Sequence, residues 1–205
     1  PTLSSVRVGS APDYSTCSWT YENSTGEAAS FSAGGSLDLS ETYASDPATG
    51  TYPYAVMLIS KDFNIKGKFG PVGGKTYYST TTFQTSSTDI DDYATQVAPL
   101  NTFGGDEECV AYTEGEVVTD GTISAYLINS SGILLNSDSS LTECSGQEKL
   151  LGVMKMSSDL TISDATKGLK MTFTVTNNGM SVVTNETGSD IYVDSGPFSV
   201  KFQTF

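Results

Sequence analysis

The stretch Glu116-Val-Val-Thr-Asp-Gly-Thr-Ile-Ser-Ala-Tyr-Leu-Ile128 decides the fold class of this chain. Two runs with strand-type alternation flank Asp120-Gly121, a dipeptide typical of a two-residue type I′ hairpin because both turn positions take positive φ values. The stretch therefore predicts two adjacent antiparallel strands rather than a crossover unit.

Alternation of the same period recurs on both sides of this hairpin. Further strand candidates in the C-terminal half are Ile133–Asn136, Lys170–Thr176, Met180–Thr184, Ile191–Val193 and Phe198–Phe202. We expect the second and third of these to form a hairpin across Asn177-Asn178-Gly179. Candidates in the N-terminal half are Leu3–Val8, Tyr14–Tyr21, Ser36–Leu39, Tyr54–Ile59 and Lys75–Phe83. The run from Ala55 to Ile59 is apolar throughout, which predicts a central, fully buried strand.

Helical signals are few. Thr88–Val97 has a cap residue, early acids and Pro99 as a stop, which predicts one short helix or helical turn. Ser145-x-x-Glu148 matches a capping box, although Leu150–Met156 fits a strand equally well. We therefore predict an all-β protein, an antiparallel two-sheet β-sandwich or jelly roll with at most one or two short helical turns. Residues 1–205 are expected to form a single β-sandwich domain.

Composition excludes two classes of partner. The 205 residues include 29 Ser and 27 Thr, and 24 acidic side chains against 10 basic ones give a net charge of −14. Binding to phosphate backbones and anionic membrane surfaces depends on clustered Lys and Arg, and Arg7 is the sole arginine. We therefore expect no nucleic-acid partner. No apolar run approaches the roughly 18 residues of a membrane-spanning helix, which predicts no membrane insertion.

Histidine is absent from the whole chain, so the chain alone cannot form a Ser-His-Asp triad or a His-ligated zinc site. Carboxylates remain as acid–base candidates. Glu114 and Glu116 are two positions apart, and a strand would place both on one face at a spacing of about 6–7 Å, which glycoside hydrolysis allows. A solvated strand face explains the same pattern. We therefore expect no enzymatic activity, and the alternative is a carboxylate-dependent carbohydrate-active enzyme.

Calcium is the metal that an acidic chain without histidine could hold, because it prefers hard oxygen ligands. Asp106, Glu107 and Glu108 follow two glycines and are the best candidate ligands. No EF-hand loop pattern occurs, so calcium is a weak expectation, and no other cofactor is predicted.

The high Ser and Thr content indicates an extracellular, secreted protein, and the possible sequons permit it. Cys109 and Cys144 both lie in polar, acidic surroundings typical of loop edges, and we expect them to form a disulfide. Cys17 alternates with Trp19 and is expected in the core; three reduced cysteines are the alternative. Asn23, Asn129 and Asn185 begin possible N-glycosylation sequons, a number barely above chance for so much Ser and Thr.

Three functions remain open. The first is a secreted, non-enzymatic structural or assembly subunit of an extracellular filament, coat or shell, whose partner would be a second copy of the chain. The second is a carbohydrate-binding or adhesion module for surface glycans, in which tyrosines form the contact surface. The third is the carboxylate enzyme. The tyrosines that suggest the second function are Tyr52, Tyr54, Tyr77 and Tyr78. The extended terminal segments Leu3–Val8 and Phe198–Phe205 could pair with a neighbour or within the chain.

Overall fold

The computed structural model describes residues 7–28, 42, 44–104, 108–118, 120–174, 180–184, 191–195 and 199–205. The all-β, antiparallel class is confirmed. The strands are β1 (Gly50–Ser60), β2 (Asp62–Ile65), β3 (Lys68–Val72), β4 (Lys75–Ser79), β5 (Ser86–Ser87), β6 (Gln96–Pro99), β7 (Tyr112–Val118), β8 (Gly121–Asn129), β9 (Gln147–Ile162), β10 (Leu169–Thr174), β11 (Met180–Thr184), β12 (Ile191–Ser195) and β13 (Ser199–Thr204).

Two compact units share these strands, and each contains segments from both halves of the chain. The first unit comprises Pro1–Lys61, Asn101–Phe173 and Ser199–Phe205. The second comprises Asp62–Leu100 and Thr174–Phe198. The expectation of one domain stays a prediction.

A four-stranded antiparallel sheet in the order β1-β9-β8-β7 is the centre of the first unit. Strand β9, 16 residues long, pairs with β1 on one side and β8 on the other, which settles Leu150–Met156 as strand. On one face of the sheet, Tyr126, Ile128, Leu151 and Val153 form a buried cluster with Leu134. Burial of such side chains contributes about 1.5–3 kcal/mol each to stability.

The opposite face of this sheet is apolar as well. Leu127 and Leu150 are buried there, and β13 contributes Val200 and Phe202 to the lining of a small cavity against Met57 and other sheet residues. Strand β13 pairs with β10. The C-terminal segment therefore pairs within the chain, because its apolar residues cover this face.

The second unit consists of three small pairings. Strand β2 pairs with β6, β3 and β5 flank β4, and β11 pairs with β12. The strand β12 lies next to β2, β4 and β5. The 3₁₀ turn Ile90–Asp92 is capped by Asp89, whose side chain accepts a hydrogen bond from the Asp91 backbone N–H.

Several expected elements differ from the observed ones. The predicted helix over Thr88–Val97 shrinks to the turn Ile90–Asp92, because Gln96–Pro99 pairs with β2 instead. The expected hairpin across 177–179 is also wrong, because β10 pairs with β13 and β11 pairs with β12. Along the sequence, the β11–β12 pair lies between the two strands of the β10–β13 pair. Tyr14–Tyr21 forms no strand, only a single bridge between Tyr21 and Ala44. Ile133–Asn136 is likewise reduced to a bridge at Leu134.

The fully apolar run Ala55–Ile59 does form a strand, but not a central one. Strand β1 lies at one end of the sheet order, and Leu58 stays partly exposed. Strands β9 and β8 occupy the central positions, and consecutive buried residues in each show that both of their faces are covered. The predicted strands Leu3–Val8 and Ser36–Leu39 fall mostly or wholly outside the described residues.

Candidate functional site

The two candidate catalytic glutamates lie on opposite faces of β7. A bulge interrupts this strand between Thr113 and Glu116, where Gly115 adopts a φ of 72°. Because a bulge inserts one extra residue into the alternation, Glu116 returns to the face of Thr113 while Glu114 occupies the other face. The expectation that Glu114 and Glu116 share a face is therefore wrong, and a catalytic role for either glutamate stays a prediction.

Both glutamates are exposed and accept hydrogen bonds from neighbours. Tyr126 Oη donates to Glu114 Oε1 at 2.6 Å, and Thr113 Oγ1 donates to Glu116 Oε1 at 3.0 Å. Burial raises the pKa of the Tyr126 phenol, and its hydrogen bond to the Glu114 carboxylate acts in the same direction. Tyr126 therefore stays a protonated donor at neutral pH, a role that stabilises the sheet.

Of the three calcium candidates, the structure describes Glu108 alone. Asp106 and Glu107 lie outside the described residues, whereas Glu108 is exposed and its backbone carbonyl accepts from Thr102 Oγ1 at 2.8 Å. Within the described ranges, no group of three or more Cys, Asp or Glu side chains could hold a metal ion. Calcium binding stays a prediction.

The sequons stay predictions as well. Asn129 Oδ1 accepts hydrogen bonds from two backbone N–H groups of the turn that follows it. Asn23 Oδ1 accepts from both the backbone N–H and the hydroxyl of Thr25. Asn185 lies outside the described residues. The two described asparagines therefore shape their own turns, whatever modification they carry.

The tyrosines that suggested a contact surface make internal contacts. Tyr52 Oη donates to the backbone carbonyl of Ala48 at 2.6 Å. Tyr54 packs against the buried cluster of the first unit, and Tyr78 lies 5.4 Å from the ring of Tyr93, measured between centroids. These side chains are half-buried, as expected for tyrosines at a sheet rim.

The predicted disulfide is present. Cys109 and Cys144 are joined across a sequence separation of 35 residues, and both are almost fully buried. Cys17 is a free, half-buried thiol, and burial raises its pKa. The backbone N–H of Cys144 donates to Asn101 O at 3.1 Å, so the disulfide holds the segment around Asn101 in place.

Next to the disulfide lies a polar group of side chains that we call the Asn101 cluster: Lys61, Asn101, Glu143 and Gln147. Asn101 Oδ1 accepts from Gln147 Nε2 at 2.7 Å and from Lys61 Nζ at 3.4 Å. On the other side of the carboxamide, Asn101 Nδ2 donates to Glu143 Oε2 at 3.3 Å. The Lys61 amine, the Gln147 carboxamide and the Glu143 carboxylate thus all contact the side chain of Asn101.

The sheet register brings this cluster together. Lys61 directly follows β1, whose last residue Ser60 pairs with Lys149 of β9, and Gln147 begins β9. Asn101 follows the second unit's segment and is held by Cys144. Sequence reasoning missed the cluster because its members are up to 86 positions apart and form no local motif.

The small cavity between the sheet and β13 has a volume of ≈ 10 Å³, which is room for about one water molecule. Its lining is Ala55, Met57, Ile123, Gly152, Met154, Val200 and Phe202. A space of this size is a packing defect and not a ligand site.

No helix in the described part of the chain is long and apolar enough to cross a membrane. No protein-family model, no curated protein and no solved structure matches the sequence or the fold.

Proposed function

We propose that this chain is a secreted, non-enzymatic β-protein that serves as a self-assembling structural subunit of an extracellular surface structure such as a filament, coat or shell. The observation that carries the proposal is strand β7. It is the last strand in its sheet order, and its residues Glu114–Val117 are all exposed. An edge strand offers backbone N–H and C=O groups to a strand of another molecule.

Val117 makes this edge unusual. Its side chain is 86% exposed, and an apolar residue on an open edge favours pairing with another molecule, since nothing within the strand shields it from water. Glu114 and Glu116 accept hydrogen bonds from their own sheet, which leaves Val117 as the apolar contact. Two β7 edges would bring like charges together, so the favoured partner surface is a different strand of a second copy.

An oxidising compartment is supported by the buried Cys109–Cys144 disulfide. Such bonds persist in secreted proteins and are rare where cellular thiols keep cysteines reduced. The net charge of −14 and the many hydroxyl side chains are suited to a protein that stays hydrated at a surface. A filament, coat or shell subunit requires assembly more than chemistry, which fits the separated glutamates.

Light scattering coupled to size exclusion tests the proposal. Because copies of a strongly acidic chain repel each other, the measured mass should rise with protein concentration and with ionic strength. Val117→Asp should abolish that rise. The matched control is Val97→Asp, which changes the charge equally at another exposed strand valine. A strict monomer under all conditions, or equal effects of both variants, would contradict assembly through β7.

A carbohydrate-binding or adhesion module is the second candidate. The observation in its favour is the edge-to-face pair of Tyr14 and Trp19, whose ring centroids are 5.2 Å apart, with the Ser18 hydroxyl 3.5 Å from the Tyr52 hydroxyl beside it. Aromatic faces flanked by hydroxyls suit sugar rings. A glycan array would decide: specific binding that Trp19→Ala removes favours this candidate, and no binding to any glycan argues against it.

A further inference from the structure

The Asn101 cluster has one consistent hydrogen-bond orientation. A lysine ammonium can only donate, and an ionised glutamate can only accept. The carboxamide of Asn101 must therefore turn Oδ1 toward Lys61 and Nδ2 toward Glu143, as observed. Gln147 Nε2 adds a 2.7 Å hydrogen bond to the same Oδ1. Two donors, Lys61 and Gln147, thus polarise the side-chain carbonyl of Asn101, while Nδ2 of the same residue faces the Glu143 carboxylate.

This arrangement brings together the three groups that amide exchange between two side chains uses: an amine, a carboxamide and a carboxylate. We infer that Lys61 and Asn101 form an intramolecular isopeptide bond, in which Lys61 Nζ replaces Nδ2 on Cγ of Asn101 and ammonia is released. Lys61 Nζ is 3.4 Å from Oδ1, and Cγ is one carbonyl bond of about 1.2 Å from that oxygen. Holding an amine and a carboxamide at such a distance raises their effective concentration by many orders of magnitude.

The reaction balances without any other reactant. Lys61 Nζ releases one proton to solvent and becomes a neutral amine, and its lone pair attacks Cγ while the carbonyl electrons move onto Oδ1. The N–H of Gln147 stabilises the negative charge that develops there. Glu143 takes a second proton from the attacking nitrogen and delivers it to Nδ2. The Cγ–Nδ2 bond then breaks, the carbonyl re-forms, and the leaving ammonia takes up one proton from solvent as ammonium, which replaces the proton that Lys61 released.

Burial favours the reaction at this position. Gln147 Oε1 is shielded from solvent, and no described residue donates a hydrogen bond to it. Water is therefore excluded on the Gln147 side, which strengthens the polarising hydrogen bonds and limits hydrolysis. Lys61 and Asn101 are themselves half-buried.

A second lysine contact in the first unit shows why the carboxamide matters. Lys201 Nζ lies 3.3 Å from Asp120 Oδ1, at nearly the same distance as the Lys61 contact. An ionised carboxylate repels a nucleophile and has no neutral leaving group, so this pair stays a salt bridge. It supplies an internal comparison in which proximity alone produces no bond.

The bond would join the end of β1 to the segment that the disulfide already anchors through Cys144. It would hold the sheet under conditions that reduce the disulfide. This inference goes beyond the proposed assembly and does not depend on it, because the bond forms within one chain.

Intact-mass spectrometry of the folded, full-length chain after reduction and alkylation tests the inference. We expect a mass lower than that of the sequence by one ammonia molecule. Because a succinimide at Asn178-Gly179 would change the mass equally, a tryptic digest must also yield a branched peptide that joins Lys61 to Asn101. Cleavage should be lost after Lys61 and retained after Lys201. A full, unmodified mass with normal cleavage after Lys61 would overturn the inference.

Two variants and a matched control test the separate roles of Lys61 and Glu143 in the reaction. Lys61→Arg should restore the full mass, since a guanidinium is not a nucleophile here. Glu143→Gln should reduce the linked fraction at least tenfold, whereas Glu148→Gln, at a nearby exposed glutamate, should leave it unchanged. If Glu143→Gln links completely, the proton-transfer role of Glu143 is wrong. Should Lys61→Arg fail to fold, the branched peptide of the wild-type chain remains decisive.

Discussion

Tyr126 Oη donates a 2.6 Å hydrogen bond to Glu114 Oε1, which ties a buried residue of β8 to the exposed edge strand β7. The two residues lie next to the bulge at Gly115, where regular backbone pairing is interrupted. The bond therefore holds the edge of the sheet at the point where its ladder is weakest.

Removing this bond should weaken the sheet modestly. Tyr126→Phe is expected to lower the free energy of unfolding by about 1 kcal/mol, because Glu114 is exposed and water can replace the lost donor. The measurement is urea denaturation, with Tyr112→Phe as the matched control, whose ring stacks on Tyr126. Equal losses in both variants would show that the Glu114 bond contributes nothing of its own.

Alkaline titration should reveal the same residue. Because the folded pKa of Tyr126 is raised above the usual value near 10, its stabilising contribution is full below pH ~10 and is lost as the pH rises through the folded value. We expect Tyr126 to ionise later than an exposed tyrosine, and Tyr126→Phe to reduce the late ionisation in an ultraviolet titration by one tyrosine. Burial also raises the pKa of Tyr14, so some late ionisation remains in the variant; an unchanged amplitude of the late step would contradict the expectation.

Breaking the disulfide should cost more. In the chain-entropy account, a loop of 35 residues corresponds to about 3–4 kcal/mol. Replacing both Cys109 and Cys144 by Ser should lower stability by this amount, whereas Cys17→Ser should have a smaller effect. Thiol labelling in denaturant without reductant should find one reactive thiol per chain, that of Cys17. Three reactive thiols would show that the protein as isolated is reduced.

Core and edge positions should respond very differently to truncation. Leu127 is fully buried, so Leu127→Ala should lower the free energy of unfolding by about 2–5 kcal/mol. Val117→Ala should change it by less than about 0.5 kcal/mol, because the side chain is exposed. Chemical denaturation of both variants checks the contrast. A large loss at Val117 would place that residue inside a packed contact.

Stability should be flat across neutral pH and fall in acid. No histidine titrates between about pH 6 and 8. The pKa values of Asp138 and Asp13 are lowered from 3.8 by hydrogen bonds from the hydroxyl and then the backbone N–H of Ser140 and Ser15, respectively. Their contribution is present above the unfolded pKa and is lost as the pH falls through the folded value.

Melting curves across the pH range test this expectation, with Asp138→Asn as the informative variant. Its melting temperature should fall less steeply in acid than that of the wild type. A steep change between pH 6 and 8 would instead reveal a carboxylate with a strongly raised pKa, and would reopen the enzyme alternative.

Local chemistry predicted much of the fold. Period-two alternation identified the strands β4, β8, β10 and β13, since a strand buries alternate side chains whatever its partner, and the apolar run Ala55–Ile59 identified β1. The Asp120-Gly121 pair located the β7–β8 hairpin, although Gly121 itself pairs with Val118 and belongs to β8. The Cys109–Cys144 pairing was also expected, because their acidic surroundings distinguish them from Cys17.

Pairing at long range could not be predicted in this way. The pairing of β10 with β13 goes together with burial of one apolar face of the four-stranded sheet, because β13 packs Val200 and Phe202 against that face. The placement of Glu114 and Glu116 on opposite faces of β7 depends on one bulge, and the alternation of apolar and polar residues does not reveal its extra residue. The Asn101 cluster depends on both the β1–β9 register and the disulfide.

By itself, the sequence determined an acidic, histidine-free, antiparallel β-protein, because charge, composition and side-chain period are properties of neighbouring residues. The separation of Glu114 from Glu116 and the meeting of Lys61, Asn101 and Glu143 arise only in the folded chain. Those relationships follow from strand register and sheet order, and each joins residues whose distance along the chain says nothing about their distance in space.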